Sequence, residues 1–247
     1  MNKSIWRGKH GPLLIAEIGG NHEGDFEYAK KLTKLAIAAD VDFIKFQLYT
    51  GDSLVNPLES ASRNEHFKKF ELSKENHLEL AQLCKKNLVG YAASVWHEDF
   101  FPWIDDYLDF YKIGSGDLTA YPILKKIAEI GKPILLSTGL ATEIEVIESV
   151  KFIQKINPNY LKSGRLALLQ CTSMYPITHS DAHLNVMDRL REITRLSHVG
   201  YSDHTIGIDA LKYAYAMNAD VLEFHFTDDR NNRRFRDHTV SLTKADV

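Results

Sequence analysis

The segments Gly200-Tyr201-Ser202-Asp203-His204-Thr205 and Glu223-Phe224-His225-Phe226 each end a short apolar run, Leu196 to Val199 and Ala219 to Leu222. Both place a histidine beside acidic and hydroxyl groups. Two histidines at the ends of neighbouring strands can share one divalent ion: imidazole nitrogen suits first-row transition metals, and nearby carboxylates orient the rings. His204 and His225 are therefore candidate metal ligands. The alternative is that one or both are hydrogen-bonded structural residues.

Two further patterns carry chemistry. Lys45 lies inside the apolar run Phe43 to Leu48, where a lysine is expensive unless it meets an anion. That anion is either a ligand or a structural partner such as Glu17. Lys112-Ile113-Gly114-Ser115-Gly116 and Ser137-Thr138-Gly139 combine charge, hydroxyls and glycines that let the backbone approach a ligand. Together they can cradle a phosphate or carboxylate. A metal, an anion cradle and the carboxylates Glu17 and Glu223 in one pocket suit joining an anionic substrate to a carbonyl compound.

The elements that must position these groups alternate. Leu13 to Ile18, Phe43 to Leu48, Val89 to Ser94, Leu108 to Ile113, Pro133 to Leu136, Arg165 to Gln170, His198 to Gly200 and Val221 to Phe224 read as buried strands. Helical patterns separate them, with Asp25, Ser73 and Thr142 at their starts. The segment Tyr49 to Leu72 is too long for a routine connection and is expected to be a functional loop or lid. About eight strand–helix units in 247 residues point to a single (β/α)8 TIM barrel over residues 1–247. A doubly wound sheet is disfavoured because the first turn lacks GxGxxG. Residues Thr239 to Val247 leave the eighth helix short or missing. In such a barrel the site lies at the carboxyl ends of the strands. There the sequence places Glu17, Lys45, Gln47, Ser94, Lys112, Ser115, Ser137, Thr172, Ser173, Tyr175, Ser202, Asp203, His204, Glu223 and His225.

Composition excludes other classes. The chain is 44% hydrophobic and 26% charged with net charge -3, a globular balance without a broad nucleic-acid surface. Two distant cysteines, Cys84 and Cys171, read as reduced thiols of a cytoplasmic protein. No signal peptide or membrane-spanning run is visible.

The motifs Ala16-Glu17-Ile18-Gly19-Gly20-Asn21-His22, Lys45-Phe46-Gln47, Tyr111-Lys112-Ile113-Gly114-Ser115-Gly116, Leu136-Ser137-Thr138-Gly139, Cys171-Thr172-Ser173-Met174-Tyr175-Pro176, Tyr201-Ser202-Asp203-His204-Thr205 and Glu223-Phe224-His225-Phe226-Thr227 resemble the sialic acid synthase family. That family includes N-acetylneuraminate, legionaminate and pseudaminate synthases. The resemblance implies a (β/α)8 barrel that condenses phosphoenolpyruvate with an N-acetylamino-sugar aldehyde to a nine-carbon 2-keto acid, releasing phosphate. It implies that His204 and His225 hold a divalent metal, typically Mn2+, with Mg2+ or Co2+ as substitutes. It matches Lys112, Ser115 and Ser137 to phosphoenolpyruvate contacts, Lys45 and Gln47 to active-site positions, and Glu17 to a catalytic carboxylate. Glu223 and Tyr175 match sugar-facing positions, and Asp237 a late acidic sugar contact. Lys45, Lys112, Glu17 and Glu223 thus form the expected catalytic set. Ser94, Thr172, Ser173, Ser202 and Asp203 join the expected substrate-binding set from their strand-end positions.

The chain departs from the family pattern at named places. Phe224 stands where a lysine or arginine is usual, implying one basic group lost beside the anion. Ser173 stands where some members have asparagine, implying a sugar other than N-acetylmannosamine. The run Asn232-Arg233-Arg234-Phe235-Arg236-Asp237 adds cations to the active-site face that would replace the charge missing at position 224. The C-terminal antifreeze-like domain of the family is not in this sequence, and a homodimer is expected to cover the barrel side left open. The other readings are a non-catalytic sugar- or anion-binding paralogue and a related aldolase or lyase.

Overall fold

The computed structural model describes residues 4–162, 164–231 and 233–247. Along the chain run β1 (Leu13–Glu17), α1 (Phe26–Ala38), β2 (Phe43–Leu48), α2 (Gly51–Leu54), α3 (Ala61–Phe70), α4 (Lys74–Lys86), β3 (Gly90–Val95) and α5 (Phe101–Ile104). There follow β4 (Tyr111–Ile113), α6 (Tyr121–Ile130), β5 (Ile134–Ser137), α7 (Glu143–Ile156), β6 (Leu166–Cys171), α8 (Val186–Thr194), β7 (His198–Asp203), α9 (Asp209–Ala216) and β8 (Val221–His225). The strands pair in parallel in sequence order and β8 returns to β1, closing a (β/α)8 barrel.

Two apolar layers hold it. Inside, Leu13, Ile15, Ala92, Phe110, Leu135, Ala167, Leu169 and Val221 fill the lower barrel, with Trp6 packed on them. The Trp6 indole N–H donates to the Gly164 carbonyl at 2.7 Å, which ties the chain's start across the barrel floor. Outside, the alternate strand residues pack against the helices. Because side chains alternate with period two, residues two apart from the inner apolar layer also point inward, one layer higher. Leu13 and Ile15 lead to Glu17, Phe43 to Lys45, Leu135 to Ser137, and Val221 to Glu223 and His225. The barrel interior therefore changes from apolar to polar towards the carboxyl ends of the strands.

Helix starts follow their caps. Asp25 accepts from the Tyr28 amide, and Ser73 and Thr142 form capping boxes with Asn76 and Glu145. Three expectations need correction. The segment from Tyr49 to Leu72 is not an irregular loop: it folds into α2 and α3, held by Asn64 Nδ2 on Asp52 and on the Val55 carbonyl. Its helical pattern is hidden because α3 is polar around most of its circumference and buries only Asn64. β4 is shorter than expected, starting at Tyr111, and β7 longer, running to Asp203.

Phe224 is the third. It does not stand beside an anion site, because β8 turns Glu223 and His225 inward and Phe224 outward. Phe224 lies in a groove on the barrel exterior with Leu14, Leu222 and Leu242. After β8 a 3-10 turn, Arg236–Val240, and a parallel bridge between Phe226 and Leu242 follow. No α-helix follows β8 among the described residues. No helix among them is long and apolar enough to cross a membrane.

His22 and His77 are buried and electrically neutral, since burial pulls them down to about 4 and about 3. His77 Nδ1 pairs with the Tyr91 hydroxyl at 2.8 Å, joining α4 to β3. Their folded-state values lie below the unfolded 6.5, so the unfolded chain binds more protons once the pH drops below 6.5. Stability is then complete above that value and declines as the pH falls towards 4. Each histidine contributes up to about 1.4 kcal/mol per pH unit in that window. Denaturant titrations from pH 7.5 to about 4.5 should show this slope, and His77→Gln should reduce it by that residue's share. An unchanged slope in the variant would remove His77 from the account.

Candidate active site

The polar layer opens into a cavity of about 770 Å³ at the carboxyl ends of the strands. Strand register brings its groups to one height. Glu17 pairs in register with Lys45 on one side and with His225 on the other. Ser94 sits between Gln47 and Lys112, and Ser202 between Cys171 and Glu223.

Four buried charges form its floor. Lys45 Nζ lies 2.8 Å from Glu17 Oε2 and 3.6 Å from Glu223 Oε2. Lys112 Nζ donates to Ser137 Oγ at 2.8 Å and lies 3.6 Å from Glu223 Oε1. Gln47 Nε2 donates to Glu17 Oε1 at 3.0 Å, and Ser202 Oγ to Glu223 Oε1 at 2.8 Å. Burial works against charge on Lys45, but Glu17 and Glu223 outweigh it and raise its pKa. Burial also opposes charge on Glu223, yet Lys112 and Lys45 hold it at about 2. Lys112 differs. Burial lowers its pKa, and its one carboxylate, at 3.6 Å, does not restore it. It is a buried cation short of counter-charge, facing the cavity.

Beside Lys112 lies the predicted cradle. Gly139 N–H donates to Ser115 Oγ at 3.0 Å. A Cβ on Gly139 would come within 2.5 Å of Ser173 Oγ and 2.8 Å of Ser115 Oγ. Gly116 needs no such argument, because a Cβ there would meet open space.

The histidines meet as expected from their strands. Their ring centroids are 5.3 Å apart, and Tyr175 lies against His204 at 3.9 Å with its ring tilted by 33°, and edge-on to His225 at 5.4 Å. His204 Nδ1 lies 2.6 Å from the Thr172 carbonyl. A carbonyl only accepts, so Nδ1 carries the proton and Nε2 keeps its lone pair. Burial and the neighbouring His225 pull His204 down to about 3, which keeps the ring neutral. His225 Nδ1 is buried without a hydrogen bond, with Asp237 Oδ2 at 3.6 Å. Among the described residues no group of three or more His, Cys, Asp or Glu side chains converges on one ion. The donor set fits a two-histidine site whose other positions fall to water or substrate. A neutral ring, a fixed tautomer and a carboxylate beside the second ring are what such a ligand pair requires.

Most of the expected residues line this one cavity: Glu17, Lys45, Gln47, Ser94, Lys112, Ser115, Ser137, Ser173, Tyr175, Ser202, His204, Glu223, His225 and Asp237. Two do not. Thr172 points to a separate cleft of about 410 Å³ between α7 and α8, where its hydroxyl donates to the Asp181 carbonyl. It serves the site through its own carbonyl, which orients His204. Asp203 lies off the inward register. It accepts from the Tyr201 hydroxyl, the Thr205 amide and the Thr205 hydroxyl, closing the end of β7.

Trp96, Asp117, Arg63, His66 and Phe67 also line the cavity and were not anticipated. Asp117 directly follows the Gly-Ser-Gly turn. Trp96 directly follows β3, and the signal for Arg63, His66 and Phe67 was their spacing, which puts them on one helical face.

The NeuB family matches residues 32–247. N,N'-diacetyllegionaminic acid synthase of Campylobacter jejuni is 35% identical over 95% of this chain and 73% of its own length. N-acetylneuraminate-9-phosphate synthase of Mus musculus is 31% identical over 97% of this chain and 68% of its own. An uncharacterized protein of Methanocaldococcus jannaschii is 38% identical over 93% of this chain, which spans 66% of that relative's length. The crystal structure of N-acetylneuraminic acid synthetase from Leptospira borgpetersenii, in complex with citrate, superposes with TM-score 0.86 at 28% identity. That superposition covers 95% of this chain and 79% of the other.

Gly139→Ala tests the tightness of the cradle. In open space the change stabilises by about 0.4–1 kcal/mol through the unfolded chain. Here crowding against Ser173, Ser115 and the Cys171 carbonyl should reverse the sign, to a loss of about 1–3 kcal/mol in denaturant unfolding. A gain in stability would show that the cradle has room to spare.

Proposed function

The chain belongs to the NeuB family, and we propose that it condenses phosphoenolpyruvate with an N-acetylamino-sugar aldehyde to give a nine-carbon 2-keto acid and phosphate. The observation that carries this reading is Lys112: a buried cation with one carboxylate at 3.6 Å, bonded to the Ser137 hydroxyl and sharing its cavity with Ser115 and the histidine pair. Relatives named as legionaminic, pseudaminic and N-acetylneuraminate-9-phosphate synthases supply the substrate class.

In this reading Lys112, Ser115 and Ser137 bind the phosphoenolpyruvate anion, and Lys45 adds charge from the neighbouring strands. The sugar aldehyde enters between this cradle and Tyr175, with Glu223 and Asp237 as acceptors for its hydroxyls. His204 and His225 would hold a divalent metal, which when bound polarises the aldehyde carbonyl. The methylene carbon of phosphoenolpyruvate attacks the aldehyde carbon, and the aldehyde oxygen takes up a proton. Water then adds to the cationic C2, and Glu17 is placed to accept its proton. The new C2 hydroxyl then gives its proton to the departing phosphate as the bond from C2 to the phosphate oxygen breaks, leaving the keto group. The chain's contribution is positioning and fixed charge, set before the substrates arrive. The outward position of Phe224 removes one motive for a non-catalytic paralogue, since no basic group is missing beside Lys112.

The test is phosphate release from phosphoenolpyruvate with Mn2+ and a panel of N-acetylamino-sugar aldehydes. Sugar-dependent release at roughly 0.1–100 s⁻¹ is expected, around the ordinary enzyme range. Phosphoenolpyruvate binding without release for any sugar would count against the synthase. His225→Ala should abolish the rise in melting temperature produced by Mn2+ and lower turnover at least about 100-fold. Its circular dichroism should be unchanged. A variant that keeps both the Mn2+ response and turnover removes this pair from the metal site.

A further inference from the structure

The arginine-rich turn after β8 divides its cations between two tasks. Arg233 is spent on structure: Nη2 lies 2.7 Å from Asp228 Oδ1, and the guanidinium lies over the Tyr28 ring at 4.9 Å. Lys31 and the Tyr28 hydroxyl meet the same Asp228, each at 2.7 Å. Phe235 then wedges against Gly20, where a Cβ would come within 2.6 Å of its ring, and meets Phe70 of α3 at 4.9 Å. These contacts pin the turn at both sides. Between them Arg234 and Arg236 are turned to the cavity mouth.

Arg234 has no carboxylate within salt-bridge distance among the described residues. Arg236 has only Asp237, at 3.3 Å, and lies over the Tyr175 ring at 4.8 Å. α3, which meets the turn through Phe70, contributes Arg63 and His66 to the same cavity. Lys68 of that helix is consumed by Asp52 at 2.9 Å, while Arg63, like Arg234, is without a carboxylate partner among the described residues. Three guanidiniums thus ring the mouth of a cavity whose floor already balances two lysines with two carboxylates. Since Phe224 faces the barrel exterior, these cations do not substitute for a charge missing at the floor.

From this division we propose that the second substrate carries its own anionic group at the end remote from the aldehyde, a phosphate or a carboxylate, and that Arg63, Arg234 and Arg236 select it. The inference rests on the synthase reading, because that reading places the aldehyde end at the histidines. A hexose chain held there directs its far end to the mouth. Guanidinium forks match phosphate and carboxylate oxygens two at a time, which suits selection by these residues. The partial occupation of Arg236 by Asp237 leaves Arg63 and Arg234 as the principal determinants.

The test is calorimetric titration with reduced, non-reacting N-acetylhexosaminitols: the neutral alditol, its terminal phosphate and its terminal carboxylate. Each is added to protein preloaded with phosphoenolpyruvate, so that the inner cradle is filled. At least tenfold tighter binding of one charged alditol over the neutral one is expected, and which of the two wins identifies the anion. Arg63→Gln and Arg234→Gln should each shrink that ratio severalfold, and added salt should shrink it further. Equal affinities, or a ratio that neither variant changes, overturn the proposal. Phosphoenolpyruvate's own isotherm is recorded first. Its absence overturns the synthase reading, while the alditol ratio and its response to the two variants still judge the rim by itself.

Discussion

Everything at the open end of the barrel depends on one constraint: two lysines buried inside a parallel barrel must find negative charge there. Either cation alone would be neutralised or would unsettle the fold. Glu17 answers Lys45 from the adjacent strand β1 and Glu223 from β8, one strand further round the closed barrel, and Gln47 and Ser202 fix the carboxylates in turn. The balance is formal, not local. Lys45 has two carboxylates within 4 Å and Lys112 has one, so the deficit is concentrated beside Ser137 and Ser115. A site for an anion is thereby built into the charge distribution of the folded chain, before any ligand arrives.

The apolar layer beneath makes that charge distribution count. Leu13, Ile15, Leu135, Ala167, Leu169 and Val221 fill the lower barrel, and Trp6 packs on them, so the quartet rests on an apolar layer. Electrostatic interactions weaken when water can enter, and the side of the quartet away from this layer opens to the cavity. The same two-residue step that sets the lower layer also sets the upper one. Packing and chemistry therefore share one register, and a slip in any strand would disturb both at once.

Around the mouth a different logic holds. α3 and the turn after β8 are polar segments that the barrel does not require, and they meet through Phe70 and Phe235. Their order comes from a few contacts: Asn64 on Asp52, Arg233 and Lys31 on Asp228, and Phe235 on Gly20. Each side chain so occupied frees a neighbour to face the cavity. Membership of the NeuB family accounts for the barrel, while the cations at the rim are carried by α3 and the turn after β8.

Much of this was legible in the residues. Strand–helix alternation named the barrel, because hydrophobic period and cap residues are local properties of the chain. The strand ends named the floor of the site, because period-two alternation carries a side chain inward wherever it stands two residues beyond a core position. Applied one step further, the same rule places Phe224 outside and takes Asp203 off the inward face of β7, where family resemblance for the first and strand-end position for the second pointed to the site. What only the tertiary structure decided was of another kind. Whether Thr172 acts through its hydroxyl or its carbonyl, whether Arg233 or Arg234 is free, and whether the segment from Tyr49 to Leu72 is loop or helix each turn on partners distant in sequence. Composition and spacing say that a charge is present; which partner takes it is settled by distances that exist only once β8 closes on β1.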